Sequence, residues 1–508
     1  MDSKIQSVEN HPQSLPKRLL LILLLATTIS CFFYYVLAPL FRPLRSVPGP
    51  SLARLTRLWY LQQARRGNWH NVILEQHRKY GPIVRIAPNY YSIDDPLAVR
   101  TLYGAGTSFV KGDWYSVAGN PDQPIRDVFT ELDPQRHNAH RRQINQLYSV
   151  GALLGMETAV DGCIIELERR FREFSSSGEV INLQWWLQCY AFDVIGAITV
   201  DKHFGFLDRG EDQMQLISGM HRMITHSATV GIMPEFHIPI YTVSKMLGKN
   251  GLVRALEFTD KQIRERLASM DEKDSAHKNR DFLTSVLQLH KQAPDEFPMI
   301  KVFTTCVQNI GAGSDTTSIS LSAIMWHLIT NPRVLTKLRA EMDERIEKGQ
   351  LSDPPKFSET QDMPYLQAIV REGLRIHPAA GFHYQRVVPK GGAEIAGQFF
   401  NEGIVVGINA WVAHFNTTVF GEDADQFRPE RWLEDKEKVS LMNKYWIPFG
   451  HGSRTCIGKN ISLLEITKLV PQLVRKFDFH RTDPNIELEC EYVSFVKQKN
   501  IMVRISER

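Results

Sequence analysis

Hydrophobic residues along most of this chain recur every three or four positions, which is the period of an α-helix. The longest such segment, 299–329, is strongly apolar and ends at Asn331-Pro332, where proline cannot continue a helix. Shorter helices are predicted from the same spacing at 134–147, 216–228, 253–267 and 281–289. We therefore predict a protein that is mainly α-helical.

Two regions depart from the helical period and predict short β-strands. Residues 84–88 and 90–93 are rich in β-branched and aromatic side chains, and the Pro-Asn pair between them predicts a hairpin. A second strand region is predicted at 394–397 and 404–408. The chain has no internal repeat, no low-complexity tract and no dividing linker, so the predicted fold class is mainly α with small β-sheets.

The first fifty residues contain a separate hydrophobic segment. Residues 19–37 carry no charge and are just long enough to cross the hydrocarbon core of a bilayer as a helix. A cleaved signal peptide is the alternative, but bulky aromatic residues at 32–35 stand where small cleavage-site residues belong. The predicted organisation is a tail at 1–18, a single N-terminal transmembrane anchor at 19–37, a Pro-rich hinge at 38–50 and one globular domain at 51–508.

Composition narrows the possible functions. The 508 residues are 43% hydrophobic, which is enough for a large core, and 60 basic against 56 acidic residues leave a net charge of only +4. Without a dense basic run, this balance argues against nucleic acid as a partner. The six cysteines lack the paired spacing of a metal site, which favours reduced thiols in a cytosol-facing protein.

One cysteine stands in a setting that suits an axial haem ligand. The run 449–458 reads FGHGSRTCIG and places Cys456 between Gly452 and Gly458. An iron-bound thiolate needs backbone N–H donors and no bulky neighbour, and glycine lets the chain lie flat against a macrocycle. Arg454 is placed to meet a haem propionate. A buried free cysteine in a Gly-rich turn is the alternative interpretation.

Together with three other motifs, this loop resembles the cytochrome P-450 superfamily of haem-thiolate monooxygenases. In the family's order and spacing, the other motifs are AGSDTT at 312–317, EGLR at 372–375 and FRPERW at 427–432. The resemblance covers roughly residues 45–505, and segments 133–142 and 386–392 are most similar to fungal microsomal members of the pisatin demethylase type. It implies a cytochrome P-450 fold, haem b as cofactor and a haem-thiolate catalytic domain over 51–508.

The AGSDTT motif falls inside the long predicted helix and directly follows a helix-weakening glycine. Gly311 and Gly313 each cost about 1 kcal/mol relative to Ala, which suggests a functional reason. We expect this pair to let the helix lie close over a haem, with a local distortion beside Thr316 that leaves room for dioxygen. Thr316 would hydrogen-bond the oxygen and Asp315 would relay protons from solvent, so these two are the predicted catalytic residues. The alternatives are a threonine bonded to its own helix backbone and an aspartate on a solvated face.

The resemblance also implies the residues that hold the cofactor. Arg141, Arg386 and Arg454 would bind the haem propionates, and His137 stands where many relatives carry a tryptophan. The cofactor-binding residues are thus expected to be Cys456, Arg454, Arg141, His137, Arg386, Phe449 and Gly458, with Cys456 as the ligand to the haem iron.

Structural and substrate-contacting residues follow from the same resemblance. Glu372 and Arg375 could be a marginal surface pair, but the family implies a buried cluster with Arg431 that holds the segment before the cysteine loop. The expected substrate is a lipophilic small molecule, and the residues expected to contact it are Gln308, Ala312, Ala380, Phe382 and Phe495. The apolar connection 232–240 would dip into a bilayer or form an ordinary buried loop.

The leading prediction is a membrane-bound monooxygenase of fungal secondary metabolism that takes electrons from NADPH. The chain carries no Rossmann fingerprint, so the electrons would come through a separate flavoprotein reductase, with cytochrome b5 as a second candidate donor. Arg142 and Lys459 are candidates for a basic face of this protein that binds the flavoprotein, and an ordinary solvated surface is the alternative. A glycan on the sequon at Asn460 would disrupt the haem pocket, which favours a single-pass protein of the endoplasmic reticulum membrane with a cytosolic catalytic domain.

Two other functions remain open at this stage. A haem-thiolate isomerase or dehydratase would not use dioxygen, and the intact Asp315-Thr316 pair argues against it because such an enzyme needs no proton relay. A non-catalytic haem-binding protein is favoured by no specific feature of the sequence.

Overall fold

The computed structural model describes residues 15–33, 44, 46–213, 215–246, 253–271 and 281–508. The prediction of a mainly helical protein is confirmed. The α-helices of the described residues are α1 Leu15–Phe32, α2 Ser51–Leu55, α3 Leu58–Arg65, α4 Trp69–Tyr80, α5 Pro96–Tyr103, α6 Trp114–Val117, α7 Pro134–Ile144, α8 Val150–Leu154, α9 Glu157–Ser177, α10 Leu183–Val200, α11 Phe206–Arg209, α12 Leu216–Val230, α13 His237–Met246, α14 Val253–Asp271, α15 Phe282–Gln292, α16 Met299–Thr330, α17 Pro332–Glu347, α18 Phe357–Gln361, α19 Pro364–Ile376, α20 Ala410–His414, α21 Thr417–Phe420, α22 Lys436–Tyr445 and α23 Lys459–Lys476.

The strands are short and form small sheets, as predicted. They are β1 Ile83–Ala87, β2 Tyr90–Ile93, β3 Val110–Lys111, β4 Ile181–Asn182, β5 Arg386–Val387, β6 Ala393–Ile395, β7 Gln398–Phe400, β8 Val405–Gly407, β9 Phe477–Arg481, β10 Glu489–Val493, β11 Phe495–Lys499 and β12 Met502–Glu507. The largest sheet has the order β1-β2-β8-β5-β3 and contains the predicted hairpin, in which Ile83 pairs with Ile93. The hairpin β10-β11 forms a separate sheet.

Helix boundaries follow local capping chemistry. The Asp133 side chain accepts a hydrogen bond from the backbone N–H of Arg136 and Pro134 occupies the first turn of α7, a common start of a helix. The predicted helix 134–147 is therefore α7 followed by a 3₁₀ turn at Asn145–Tyr148. The longest helix, α16, ends before Asn331, and α17 begins at Pro332, because proline cannot continue the preceding helix.

Helix α16 runs through the core and packs against α10, α19 and α23. A Cβ atom built on Gly313 would lie 2.7 Å from Cδ1 of Ile195 on α10, so this glycine allows α10 and α16 to pack closely. A Cβ on Gly311 would instead approach Met220 of α12. The two helix-weakening glycines thus contribute to helix packing around the cavity described below.

The amino-terminal segment bears on the predicted anchor. Within the described ranges, helices that combine the length and the apolar character needed to cross a bilayer are not found. Parts of the predicted tail, span and hinge, namely 1–14, 34–43 and 45, lie outside the described residues. The anchor at 19–37 therefore stays a prediction.

Candidate active site

The domain encloses a cavity of about 610 Å³ between α16, α12, the cysteine loop and the largest sheet. It brings together residues that are far apart in the sequence. Of the residues predicted from sequence, the cavity is lined by Arg141, Gln308, Ala312, Thr316, Ala380, Phe382, Arg386, Phe449, Arg454, Cys456, Gly458 and Phe495. His137 and Asp315 are not among its lining residues in the described part of the chain.

The cysteine loop is shaped by a tight turn and by glycine. The backbone N–H of Cys456 donates to the carbonyl of Phe449 at 2.8 Å, and residues Gly452–Arg454 form a 3₁₀ turn between them. Gly452 has φ +68°, and a Cβ built there would lie 1.7 Å from the carbonyl oxygen of Tyr103. Only glycine fits this close backbone approach, which brings the loop against α5.

The thiol of Cys456 opens into the cavity and is surrounded by groups that favour its charged form. Burial raises the pKa of the Cys456 thiol. The backbone N–H groups of Gly458 and Lys459 and the positive charge of Arg141 oppose this rise in pKa. These are the donors that an iron-bound thiolate requires, so the loop fits an axial haem ligand.

Four cationic side chains surround one side of the cavity. Arg141 donates to the Thr455 carbonyl at 2.6 Å, Arg454 to the Glu131 carbonyl at 2.7 Å, and Arg386 to the Gln385 carbonyl at 2.8 Å. The fourth, Lys111 on β3, donates to the Phe129 carbonyl at 2.6 Å. Each is thus held in place by a backbone carbonyl group.

This cluster has excess positive charge. Burial and the neighbouring positive charges of Arg454 and Arg386 hold the pKa of Lys111 well below its usual value. Burial and Arg386 lower the pKa of Arg454 to about 10. Among the described residues, none of the four cations forms an ion pair with an acidic side chain. Two carboxylate groups at this position would relieve the repulsion, so the cluster fits the two propionates of a haem.

Lys111 was missed by the sequence analysis. In the sequence, Lys111 is only a lysine in a short β-type segment, and lysines in such segments commonly lie at a solvated sheet edge. His137, which was predicted to take part, is buried and has its Nδ1 3.0 Å from the side-chain oxygen of Asn138. Burial and the charge of Arg454 lower the pKa of His137 to about 3, so its ring is neutral. Its role toward a propionate stays a prediction.

The two predicted catalytic residues point in different directions. Thr316 lines the cavity, and its hydroxyl donates to the carbonyl of Ala312 at 2.9 Å in an uninterrupted helix. The expected helix distortion beside Thr316 is not seen, since α16 continues through this position as an α-helix. Asp315 is buried, and its Oδ1 accepts hydrogen bonds from Lys497 Nζ at 2.9 Å and from Gln188 Nε2 at 2.5 Å.

The surroundings of Asp315 exclude the alternative of a solvated helix face, whereas its role as a proton relay stays a prediction. It does not lie on a solvated face, since it is only 2% exposed. Its carboxylate is held between helix α10 and the β11 strand, and its Oδ2 has no hydrogen-bond partner among the described residues. Lys497 and Gln188 are thus the described side chains that hydrogen-bond to the Asp315 carboxylate.

Glu372, Arg375 and Arg431 form a fully buried cluster, as the resemblance implied. Glu372 lies 2.8 Å from Arg375 and 2.9 Å from Arg431, and it also accepts from Trp432 Nε1 at 2.9 Å. Both guanidinium groups further donate to backbone carbonyls of 414–426. Arg431 also lies 3.1 Å from the carboxylate of Asp423, so two carboxylates compensate the two guanidinium groups, as a buried ionic cluster needs to be stable.

A buried histidine connects this cluster to the segment just before the cysteine loop. His414 Nδ1 lies 2.9 Å from the Arg375 carbonyl, and its Nε2 accepts a hydrogen bond from the backbone N–H of Ile447 at 2.9 Å. Nδ1 must therefore carry the proton. Burial and the charge of Arg375 lower the pKa of His414 to about 3, which keeps the ring neutral. The sequence analysis missed His414, because neither contact is local.

The wall of the cavity above α16 is aromatic. Trp114 of α6 stacks on Phe382 with ring centroids 4.4 Å apart, and Tyr115, Phe129 and Phe495 surround Phe382 at 5.9–6.3 Å. All five rings line the cavity. Such a wall favours flat apolar molecules.

The roof of the cavity joins α12 and α13 to the 113–128 segment. His226 Nε2 lies 3.1 Å from His237 Nδ1, which links the two helices. Tyr241 donates to Asn120 Oδ1 at 2.8 Å and to Asp122 Oδ2 at 3.0 Å, and Lys245 lies 2.5 Å from the same Oδ2. We call residues 113–128 together with α12 and α13 the roof.

Comparison with known proteins agrees with this arrangement. The family model for cytochrome P450 matches residues 48–504. Pisatin demethylase of Fusarium vanettenii is 39% identical over 473 residues, covering 91% of this chain and 90% of the relative. A cytochrome P450 monooxygenase of Aspergillus terreus is 37% identical over 451 residues, covering 86% and 91%. The monooxygenase cicH of Emericella nidulans is 35% identical over 472 residues, covering 92% and 94%.

Proposed function

This chain belongs to the cytochrome P450 family and is a P450 monooxygenase of the pisatin demethylase type, and we propose that it oxidises a lipophilic small molecule with electrons from NADPH. One observation carries the proposal: Cys456, a cluster of four cations and Thr316 all line the same cavity. The relatives are fungal monooxygenases, which supports a role in secondary metabolism.

The chain's own residues fit haem b on two sides. Cys456 would be the ligand to iron, with its charge stabilised by the N–H groups of Gly458 and Lys459. Arg141, Arg386, Arg454 and Lys111 would hold the propionates. When bound, the haem supplies the chemistry of dioxygen activation and oxygen transfer.

The distal residues would manage protons and exclude bulk water. Thr316 presents a hydroxyl to the cavity, and in our proposal this hydroxyl turns from the Ala312 carbonyl to hydrogen-bond a ligand there. Asp315 would exchange protons with solvent through Lys497, whose ammonium group is 2.9 Å away. The aromatic wall around Phe382 would keep the substrate side dry.

The partners and location are part of the proposal. A separate flavoprotein reductase would supply the electrons, with cytochrome b5 as a second donor, and Lys459 and Arg142 would belong to the docking face. The protein would be anchored in the endoplasmic reticulum membrane through 19–37, with the catalytic domain in the cytosol. In support, the described large apolar side chains of 19–33 are 54–70% exposed, and α13 adds exposed Ile238, Val243 and Met246.

The central test concerns the iron ligand. We expect Cys456→Ser to lose the strongly red-shifted carbon monoxide band of the reduced protein, whereas Cys490→Ser should retain it because Cys490 lies outside the cavity-lining residues. A thiolate-type band in the Cys456→Ser protein would refute the assignment.

A second test separates the monooxygenase from an isomerase. Thr316→Ala should retain haem and substrate binding while a larger share of the NADPH consumed yields hydrogen peroxide instead of product. Thr330→Ala, at the far end of α16, is the matched control. Product formation without dioxygen or NADPH would favour the isomerase.

Membrane attachment is tested by deleting residues 1–42. The shortened protein should move toward the soluble fraction and still bind haem, with residual attachment through α13. Protease added to sealed microsomes should digest a cytosolic domain. Protection from protease, or a glycan on Asn416, would overturn the proposed orientation.

A further inference from the structure

One buried acidic side chain lies outside the cavity and has no partner. Glu465 belongs to the second turn of α23 and is fully buried, and neither of its carboxyl oxygens forms a hydrogen bond within the described residues. It is also absent from the described residues that line the cavity. An ionised carboxyl group that is buried without a partner is strongly unfavourable, so the charged form of Glu465 does not fit this position.

The buried cation of the same helix is already paired. Lys468, three positions further along α23, contacts Glu157 and lies 2.8 Å from Asp161, both on α9. It also donates to the Pro355 carbonyl at 2.7 Å. An ammonium group has three N–H donors, and these three acceptors account for all of them. Lys468 therefore has no donor left for Glu465.

The titratable groups near Glu465 on other helices cannot neutralise it. Burial and, to a lesser extent, the nearby Glu465 raise the pKa of Cys163 on α9 and of Tyr190 on α10. Both groups are neutral when protonated, and the Tyr190 hydroxyl has no hydrogen-bond partner among the described residues either. Burial holds the pKa of Glu465 well above its usual value, and no charged group of the described residues opposes this rise.

Glu465 lies on the helix that follows the cysteine loop. This helix, α23, begins at Lys459, three residues after Cys456, and the backbone N–H groups of Gly458 and Lys459 favour the thiolate form of the cysteine. A negative charge on Glu465 would be relieved by movement of α23 toward water. The first turn of the helix, with its N–H donors, would move too.

We propose that Glu465 is a proton-binding site: it is a neutral carboxylic acid in the folded protein, and its ionisation at alkaline pH displaces α23 and ends ligation by Cys456. The fold would thereby set an upper pH limit for the thiolate-ligated form. The proton site is independent of the proposed monooxygenase function, whereas its consequence for the iron ligand rests on that function.

Infrared spectra of the full-length holoprotein test the protonation state directly. The difference spectrum between the wild type and Glu465→Gln at neutral pH should show the carbonyl band of one protonated carboxylic acid, and this band should shift in deuterium oxide. The matched control is Glu347→Gln at the exposed end of α17, which should leave the carbonyl band unchanged.

Unfolding in urea provides a second measurement. In the unfolded chain Glu465 ionises near its ordinary pKa of 4.5, so above this pH the folded protein holds one more proton and its stability falls as the pH rises. The ratio of the unfolding constant of the wild type to that of Glu465→Gln should therefore increase about tenfold per pH unit between about pH 7 and 9. Glu465→Met, which is apolar and of similar length, should give the same slope, and Glu347→Gln should follow the wild type.

The carbon monoxide band tests the consequence for the ligand. The thiolate-type band should be lost at a lower pH in the wild type than in Glu465→Gln and Glu465→Met. Absence of the carbonyl band from the difference spectrum, or a ratio of unfolding constants that does not change with pH, would overturn the proton site. Loss of the thiolate-type band at the same pH in all proteins would overturn the displacement of α23. A wild type without this band at any pH would instead contradict the proposed function, while the infrared and unfolding results would still decide the proton site.

Discussion

Replacement of His414 tests how the buried ionic cluster holds the cysteine loop. In His414→Phe the ring is retained and still packs near Phe420, but both hydrogen bonds of the imidazole are lost. The Arg375 carbonyl and the Ile447 N–H are then left buried and unpaired. At about 1–3 kcal/mol for each unpaired group, we expect the variant to lose about 2–6 kcal/mol of stability.

A graded variant sharpens this expectation. The amide of His414→Asn can still donate to the Arg375 carbonyl but is too short to reach Ile447, so it should lose about half as much. His480→Phe makes the same chemical change on an exposed strand and should alter stability by less than about 0.5 kcal/mol.

Urea unfolding of the holoprotein is followed by circular dichroism and by the carbon monoxide band. The order of stability should be wild type, Asn variant, Phe variant, and loss of the thiolate-type band should precede loss of helix in the Phe variant. The reasoning would be refuted if His414→Phe unfolded at the same urea concentration as His480→Phe with its band intact.

Three further outcomes are expected. Lys497→Met should destabilise the protein by about 3–5 kcal/mol, because it leaves the buried Asp315 carboxylate without its cation. Addition of Asp315→Asn should restore most of this stability, as measured from urea midpoints in a double-mutant cycle. Gly452→Ala should prevent haem incorporation, because the added methyl group would overlap the Tyr103 carbonyl. Gly349→Ala is the control, since the space around its Cβ is open and it should bind haem. Haem incorporation is measured as the ratio of haem to protein absorbance. Stability should fall as the pH drops from about 6.5 to about 4, because the buried histidine rings are neutral in the folded protein and become charged in the unfolded protein. The expected loss is about 2 kcal/mol per buried histidine at pH 5. Urea midpoints that do not change with pH in this window would contradict this expectation. Burial lowers the pKa to about 3 or 4 in His70, His77, His327, His377, His383 and His414.

Local patterns were sufficient to predict the elements that carry the site. The helix period predicted α16 within one residue at its carboxyl end, and the glycines around Cys456 predicted a loop without bulky side chains beside the thiol. These features depend on neighbours in the sequence. The direction of the Asp315 side chain could not be predicted in the same way, because its partner Lys497 is 182 positions away.

Residues that act through distant partners gave no usable sequence signal. Lys111 was hidden in a two-residue strand, and His414 ends a short helix but contacts the backbone of Ile447, which is 33 positions away. The histidine pair of the roof requires α12 and α13 to fold back on each other. The identity of such partners is set by tertiary packing, which hydrophobic periodicity does not encode.

The bonds that close the roof also determine how its opening responds to the solution. Tyr241 and Lys245 converge on Asp122, whose side chain is half exposed, so water and dissolved ions compete for these contacts. A ligand that enters between α13 and the 113–128 segment would therefore break these solvent-exposed bonds. The rate at which a ligand enters should rise with ionic strength. The partly buried histidine pair and the aromatic wall, which salt affects much less, should govern how long the ligand stays.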